Sequence, residues 1–409
     1  MPESLPGPLP ESARRPRLPS LTGIRFLIVV PVFAFHADME KPFGDAGVAD
    51  AYAWLVGNGA WTAISCFFVL SGFVITWGSR PDHGARGFWR RRAAKIYPLH
   101  VLTWAAALVL LALAGTAATL RQAVPNLFLV HTWDPDREVF SSLNDVSWSI
   151  SCEVFFYAAF PLLVRWIRRI RPERLWAWTA GVIAAILLVP AAAALLPDRP
   201  PLPFGSGSVW QFWFVYVFPP VRLLEFVLGI LLARIVLTGR RLPVGALPAA
   251  LLLVPAQLLA KQLPFLWGLT TPAIVPIALL LPALAARDVA ARRSFLTSRP
   301  MVTLGSWTFA FYLVHRLVLD HGHRALGAGR TFGTPVAAAL LLGAFTAAWL
   351  LAGLLHRYVE LPAVRLLAAP RRRPANSPPP GPSADPSADP ATGPTPAPGL
   401  AAATPSRTT

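Results

Sequence analysis

The chain has 409 residues, of which 55% are apolar by type and only 14% are charged. This balance excludes a soluble globular protein and predicts an all-α integral membrane protein, because the backbone of so apolar a chain must satisfy its hydrogen bonds internally within the bilayer. A net charge of +17 would suggest nucleic acid in a soluble protein. In a membrane protein its distribution matters more than its sum, so we expect no nucleic-acid partner.

The N-terminal region combines a polar tail with the first apolar segment. Residues 1–17 are polar and rich in proline, which predicts a disordered tail. The apolar run that follows has no small-residue cleavage pattern, so we expect a retained anchor and not a removable signal peptide.

Two ionisable residues bracket ten apolar residues in the first span. Arg25 and His36 are eleven positions apart, which places them on one helix face and about 16 Å apart. His36 then lies deep in the membrane, where an imidazole can take a proton from a hydroxyl or thiol. The alternatives are a histidine bonded to the backbone of a neighbouring helix and an ordinary interfacial arginine.

The hydropathy pattern predicts ten transmembrane helices when about 20 apolar residues are taken as one crossing. Most of the Lys and Arg residues then fall in alternate connecting segments, which predicts cytoplasmic N- and C-termini. The apolar piece 123–133 is too short to cross and is interpreted as re-entrant or interfacial. The expected spans are 23–40, 59–78, 98–116, 147–165, 175–196, 209–234, 243–261, 265–286, 301–320 and 333–355.

A basic cluster precedes the third span in "FWRRRAAKIYPLH" (88–100). Arg91, Arg92 and Lys95 lie within about one helical turn. Such a cluster can bind phosphates, for which arginine is geometrically suited, or it can be the basic flank that orients the helix.

The fourth span contains an acidic residue, Glu153, in an apolar helix. A carboxylate at the centre of a span costs about 2.5–3.5 kcal/mol on insertion scales, so Glu153 needs a partner from another span. The partner could make it part of a catalytic site or of a structural ion pair, for example with Arg222.

The later spans carry weaker signals. His315 and Asp320 match the short H-x4-D signature of soluble glycerolipid acyltransferases, but the match lies in an apolar span and we discount it. The sequence "DHGH" (320–323) is more typical of a solvated loop than of a metal site, so we expect no metal. Cys66 and Cys152 lie inside apolar segments and predict no disulfide framework.

Taken in order, these segments resemble the membrane-bound acyltransferase 3 family over residues 18–365. The resemblance rests on the spacing of Arg25 and His36, on an arginine-rich entry to the third span with Lys95 where arginine is usual, and on the segment around Glu153. It also includes "FFVLSGFVIT" (67–76), "LGSWTFAFYLVH" ending at His315, and "HRYVELP" (356–362). The stand-alone branch that includes actinobacterial macrolide O-acyltransferases is the most similar.

The resemblance implies a membrane O-acyltransferase with His36 as the catalytic residue. We expect it to transfer a short acyl group from acyl-CoA, acetyl-CoA above all, to a hydroxyl of a sugar, glycan or macrolide-type antibiotic. His36 would deprotonate that hydroxyl or carry the acyl group transiently, and Glu153 or Asp38 would hold its imidazolium. Arg25 would stabilise an oxyanion or a phosphate.

The basic cluster completes the expected site. Arg91, Arg92 and Lys95 would bind the phosphates of acyl-CoA on the cytoplasmic side of the plasma membrane, where we expect this multi-pass protein. A polytopic transporter or flippase is the alternative, although no inverted internal repeat is apparent in the sequence. An inactive membrane scaffold is a further alternative. The domain organisation expected is one transmembrane domain over residues 18–366, followed by a disordered proline-rich cytoplasmic tail over residues 367–409.

Overall fold

The computed structural model describes residues 15–79 and 84–368 of the chain. The two predicted tails therefore lie outside the described residues, except for residues 15–17 and 367–368. The helices of the described part are α1 Pro19–Met39, α2 Ala46–Val56, α3 Gly59–Gly78, α4 Ala85–Leu113, α5 Leu120–Leu127, α6 Arg137–Phe140, α7 Ser147–Arg168, α8 Leu175–Ala193, α9 Val209–Phe212, α10 Pro219–Leu237, α11 Ala246–Leu251, α12 Leu253–Gln262, α13 Phe265–Gly268, α14 Thr271–Val289, α15 Arg299–Gly327, α16 Thr334–Leu355 and α17 Leu361–Ala368.

The architecture is that of an all-α integral membrane protein, as predicted. Within residues 15–79 and 84–368, β-pairing is limited to two isolated bridges, and eight helical stretches are long and apolar enough to cross a membrane. These eight coincide with eight of the ten expected spans. The expected sixth span contains α10, which carries three charged residues, and the seventh is broken between α11 and α12. The count of ten and the location of the termini stay predictions.

The short apolar piece 123–133 does not cross, in agreement with the sequence. It forms α5 and a single 3₁₀ turn at His131–Trp133. Asn126 in α5 is fully buried and donates to the carbonyl of Ser142 at 2.9 Å, while its own carbonyl accepts from His100 of α4 at 3.0 Å. These bonds hold the segment against α4 and the start of α7.

Two glycines allow close approach between the backbones of neighbouring helices. A Cβ atom on Gly305 of α15 would overlap the carbonyl oxygen of Thr22 in α1, and a Cβ atom on Gly72 of α3 would overlap the carbonyl oxygen of Phe226 in α10. Helices in membranes associate through such close backbone approaches, because lipid supplies little hydrophobic force between them. The first contact joins the start of α1 to α15, and the second joins α3 to α10.

Candidate active site

A cavity of about 140 Å³, here called the inner cavity, lies among α1, α3, α4, α7 and α15. Its ionisable lining residues come from four of these helices, although the walls are mostly apolar. They are Arg25 from α1, Arg92 and Lys95 from α4, Glu153 and Tyr157 from α7, and Tyr312 from α15. The fold thus brings together Arg25, Glu153 and two members of the basic cluster, which the sequence singled out separately.

Glu153 is held by a hydroxyl group one turn further along its own helix. The Tyr157 hydroxyl donates to Glu153 Oε2 at 2.9 Å and lies 3.2 Å from Ser71 Oγ of α3. No Lys or Arg nitrogen in the described part of the chain lies within ion-pair distance of Glu153. The Glu153 carboxylate is therefore oriented by a hydrogen bond and faces the inner cavity.

Arg25 is the complementary charge in the inner cavity. Its guanidinium makes no hydrogen bond to the residues that the structure describes, yet Glu153 and Tyr157 are close enough to interact with it electrostatically. A guanidinium has five donors in a rigid fork. Arg25 is thus available to bind an anion or a developing oxyanion.

The basic cluster is divided between two environments. Lys95 Nζ lies 3.3 Å from Glu360 Oε1, at a π-helical turn over His356–Glu360 that separates α16 from α17. Arg92 is not paired in this way: its guanidinium carbon lies 5.6 Å from the Phe88 ring centroid and 5.8 Å from that of Tyr157. Lys95 thus has an acidic partner within the protein, whereas Arg92 faces cavities on both sides.

A second cavity of about 160 Å³, here called the arginine cavity, adjoins the first. It is lined by Arg91 and Arg92 of α4 and by Arg165 and Arg168 of α7. Within the described residues no Asp or Glu lines it, so four like charges share one concave surface. The two cavities are neighbours, because Arg92 and Ile75 line both of them. Of these four arginines the sequence singled out only Arg91 and Arg92, because the distance of Arg165 and Arg168 from Arg91 along the chain hides the shared surface.

His36 lies away from the inner cavity and has a different partner from the one expected. Its Nδ1 is 2.9 Å from the carbonyl oxygen of Val32 and 3.1 Å from Nε2 of His315. The expectation that Glu153 or Asp38 contacts the ring is wrong. Asp38 pairs with Lys41 at 2.9 Å, and Glu153 lies among the residues around Arg25, about three helical turns from His36 along α1.

His315 is the residue that the sequence analysis undervalued. It is fully buried in α15, and its neighbour Arg316 bonds to Glu40 and, at 3.2 Å, to Asp145. The H-x4-D pair is not formed, since Asp320 accepts from Arg324 at 2.8 Å. The sequence did contain a signal for it: His315 is a second histidine deep in an apolar span, and it ends the motif "LGSWTFAFYLVH". Its significance depends on α15 lying against α1.

Comparisons with known proteins identify relatives over most of the chain. A family model described as an acyltransferase domain matches residues 18–353. The chain is 41% identical to acyltransferase MdmB of Streptomyces mycarofaciens over 88% of its own length and 94% of that protein. It is 25% identical to the putative peptidoglycan O-acetyltransferase YrhL of Bacillus subtilis, over 74% of this chain and 48% of that one. No solved structure matches the chain.

Proposed function

Because the chain belongs to the acyltransferase 3 family, we propose that it transfers a short acyl group from acyl-CoA to a hydroxyl of a sugar, glycan or macrolide-type acceptor. Membership makes it an acyltransferase, and its apolar helices make it a multi-pass membrane protein. The identity of the donor and of the acceptor, and location in the plasma membrane, are parts of the proposal.

The observation that supports an acyl-CoA donor is the pair of adjoining cavities. Acyl-CoA is a long molecule with phosphates at one end and a thioester at the other. Four arginines line one cavity without an acidic neighbour among the described residues, and they suit the phosphates. The inner cavity has mostly apolar walls and suits the pantetheine arm. In the predicted orientation the arginine cavity faces the cytoplasm, where acyl-CoA is found.

We assign His36 as the general base of the transfer. It would take the proton of the acceptor hydroxyl while the oxygen attacks the thioester carbonyl. Collapse of the tetrahedral intermediate would break the C–S bond, and the proton would pass to the CoA thiolate. Arg25 lies about three helical turns from His36 and would bind an anionic group of the donor instead of the oxyanion, with Glu153 and Tyr157 balancing its charge.

The position of His36 defines the path that the acyl group would take. Tyr312 and Ser149 line the inner cavity and are hydrogen-bonded to each other at 2.8 Å. The Tyr312 ring centroid lies 5.7 Å from that of His315, which contacts His36. The acyl end would therefore reach His36 past Tyr312.

The proposal is tested with purified protein in lipid nanodiscs. Labelled acetyl-, propionyl- and butyryl-CoA would be supplied with metabolite extract from the producing cells, and both free CoA thiol and acylated product would be quantified. Equal amounts of the two support transfer. Uptake of the acceptor into sealed proteoliposomes without thiol release would instead favour the transporter alternative.

His36→Gln is the decisive variant, because glutamine keeps the polarity and approximate size. We expect a rate about 10²–10⁴-fold lower, the usual contribution of general-base catalysis, in a protein with unchanged yield. His323→Gln is the matched control in another helix. A His36→Gln protein that keeps most of its rate would remove His36 from the chemistry.

A further inference from the structure

The two intramembrane histidines form a pair whose protons can be assigned from the hydrogen bonds around them. His315 Nδ1 lies 2.8 Å from the carbonyl oxygen of Tyr312 and 3.2 Å from that of Phe311. A carbonyl oxygen only accepts, so the nitrogen that faces two of them must carry the hydrogen. In a neutral His315 the other nitrogen, Nε2, is then a bare acceptor.

The same reasoning extends to His36. Its Nδ1 has two neighbours, Nε2 of His315 at 3.1 Å and the carbonyl oxygen of Val32 at 2.9 Å. Both are acceptors, so Nδ1 of His36 carries the hydrogen and donates to them. A neutral imidazole has one N–H, and Nε2 of His36 is therefore the unprotonated, basic nitrogen.

The surroundings favour a neutral His315. Its side chain is completely buried, and its ring stacks on Phe311 with centroids 5.4 Å apart. The nearby carboxylates of Glu40 and Asp145 bond to Arg316, so neither is left to compensate a cation on His315. A charged imidazole there would be desolvated without a carboxylate partner.

We infer that His315 is a positioning residue that fixes the tautomer and orientation of His36 and so presents Nε2 of His36 as the base. The inference rests on the proposed function, in which His36 accepts the proton of the acceptor hydroxyl. When Nε2 takes that proton, the Nδ1–H bond to His315 becomes charge-assisted and stronger. A neutral imidazole, anchored by the carbonyls of Phe311 and Tyr312, thus does what a carboxylate does in a Ser-His-Asp triad.

The assignment is testable by ¹⁵N NMR, without any measurement of activity. Histidine-labelled protein in nanodiscs would be compared with labelled His36→Gln, and the signals lost identify His36. We expect a protonated Nδ1 and an unprotonated Nε2 for His36 in the unsubstituted protein. A dominant Nε2–H form of His36 would overturn the inference, and it would do so even if His36→Gln abolishes transfer as the proposed function expects.

Two variants of His315 connect the tautomer to the rate. In His315→Leu only the Val32 carbonyl is left as an acceptor for Nδ1 of His36, so we expect the Nε2–H tautomer of His36 to become more populated. We expect kcat to fall about 10–100-fold, as when the partner that orients a metal-bound histidine is removed. KM for acetyl-CoA should change less than about twofold, since the arginine cavity is untouched. His315→Gln offers an amide oxygen to Nδ1 of His36 and should recover much of kcat.

Stability is measured alongside, because His315 is a buried residue. Loss of kcat in folded His315→Leu, with partial recovery in His315→Gln, supports the positioning role. Unchanged kcat in folded His315→Leu contradicts it, as does an equal loss in both variants. If His315→Leu fails to fold, the ¹⁵N spectrum of the unsubstituted protein and the kcat of His315→Gln decide between the positioning role and a purely structural one.

Discussion

Glu153 and Glu225 are both glutamates in apolar helices, and the structure treats them in opposite ways. Glu225 of α10 pairs with Arg222 of the same helix at 2.9 Å, with each side chain only 2% exposed. The Arg222 guanidinium carbon lies 4.7 Å from the Tyr216 ring centroid and 5.1 Å from that of Phe68, so rings cover it. Glu153 of α7 is instead bonded to a hydroxyl and opens onto the inner cavity.

We interpret the difference as that between a structural charge and a candidate functional one. The Arg222–Glu225 pair is closed by residues one turn apart and packed at the junction of α3 and α10, so no surface is left for a ligand. Glu153 and Arg25 share a cavity without a direct ion pair in the described residues, and a substrate can come between them. Burial of a charge alone is therefore a poor guide to function, whereas an unpaired charge facing a cavity is a better one.

Breaking the buried Arg222–Glu225 pair should produce the largest change in stability. Arg222→Leu leaves the Glu225 carboxylate buried and uncompensated, which costs about 3–5 kcal/mol in the free energy of unfolding. Unfolding in detergent measures this loss, and the protein that stays folded should keep its specific activity. The control is Arg222→Leu with Glu225→Leu, which removes both charges and should recover most of the stability. A stable but inactive Arg222→Leu protein would assign the pair to the active site.

Neutralising the Glu153 carboxylate, which opens onto the inner cavity, should affect the rate of acyl transfer more than the stability of the fold. Glu153→Gln keeps an acceptor for the Tyr157 hydroxyl, so we expect less than about 1 kcal/mol of lost stability, as for a replaceable hydrogen bond. The rate of acyl transfer should fall about 10²-fold, because Arg25 loses the charge that orients its guanidinium in the cavity. Initial rates and unfolding curves would be recorded on the same preparations. Reduced yield with normal specific activity would instead place Glu153 with Glu225 as a structural residue.

The smallest of the three effects concerns donor affinity. Arg91→Gln combined with Arg165→Gln removes two cations from the arginine cavity, and we expect KM for acetyl-CoA to rise about 10-fold, a change of about 1.4 kcal/mol. KM for acetyl-pantetheine, which lacks the nucleotide phosphates, should stay the same. Arg169→Gln combined with Arg171→Gln is the matched control, because these arginines do not line the cavity. If both double variants raise KM for acetyl-CoA equally, all four arginines act only as the basic flank that orients the helices.

The sequence predicted the class of the protein, its family and the charged residues of the inner cavity. These properties are local: hydropathy marks each span, and the helical repeat places Arg25, Glu153 or the arginines of α4 on a particular face. A charge in an apolar helix is also conspicuous, because inserting it is costly wherever the helix lies. Such properties can be predicted from a single segment, without knowing which helices pack against it.

Only the tertiary structure decided which of these residues meet. His36 and His315 are 279 positions apart and touch because α1 and α15 approach closely at Gly305. The same packing leaves Glu153 with Tyr157, directs Lys95 to Glu360, and brings Arg165 of α7 into one cavity with Arg91 of α4. Periodicity determines the face that a helix presents, but the partner of that face depends on backbone contacts between helices distant in the chain, and those are settled by shape in the folded bundle.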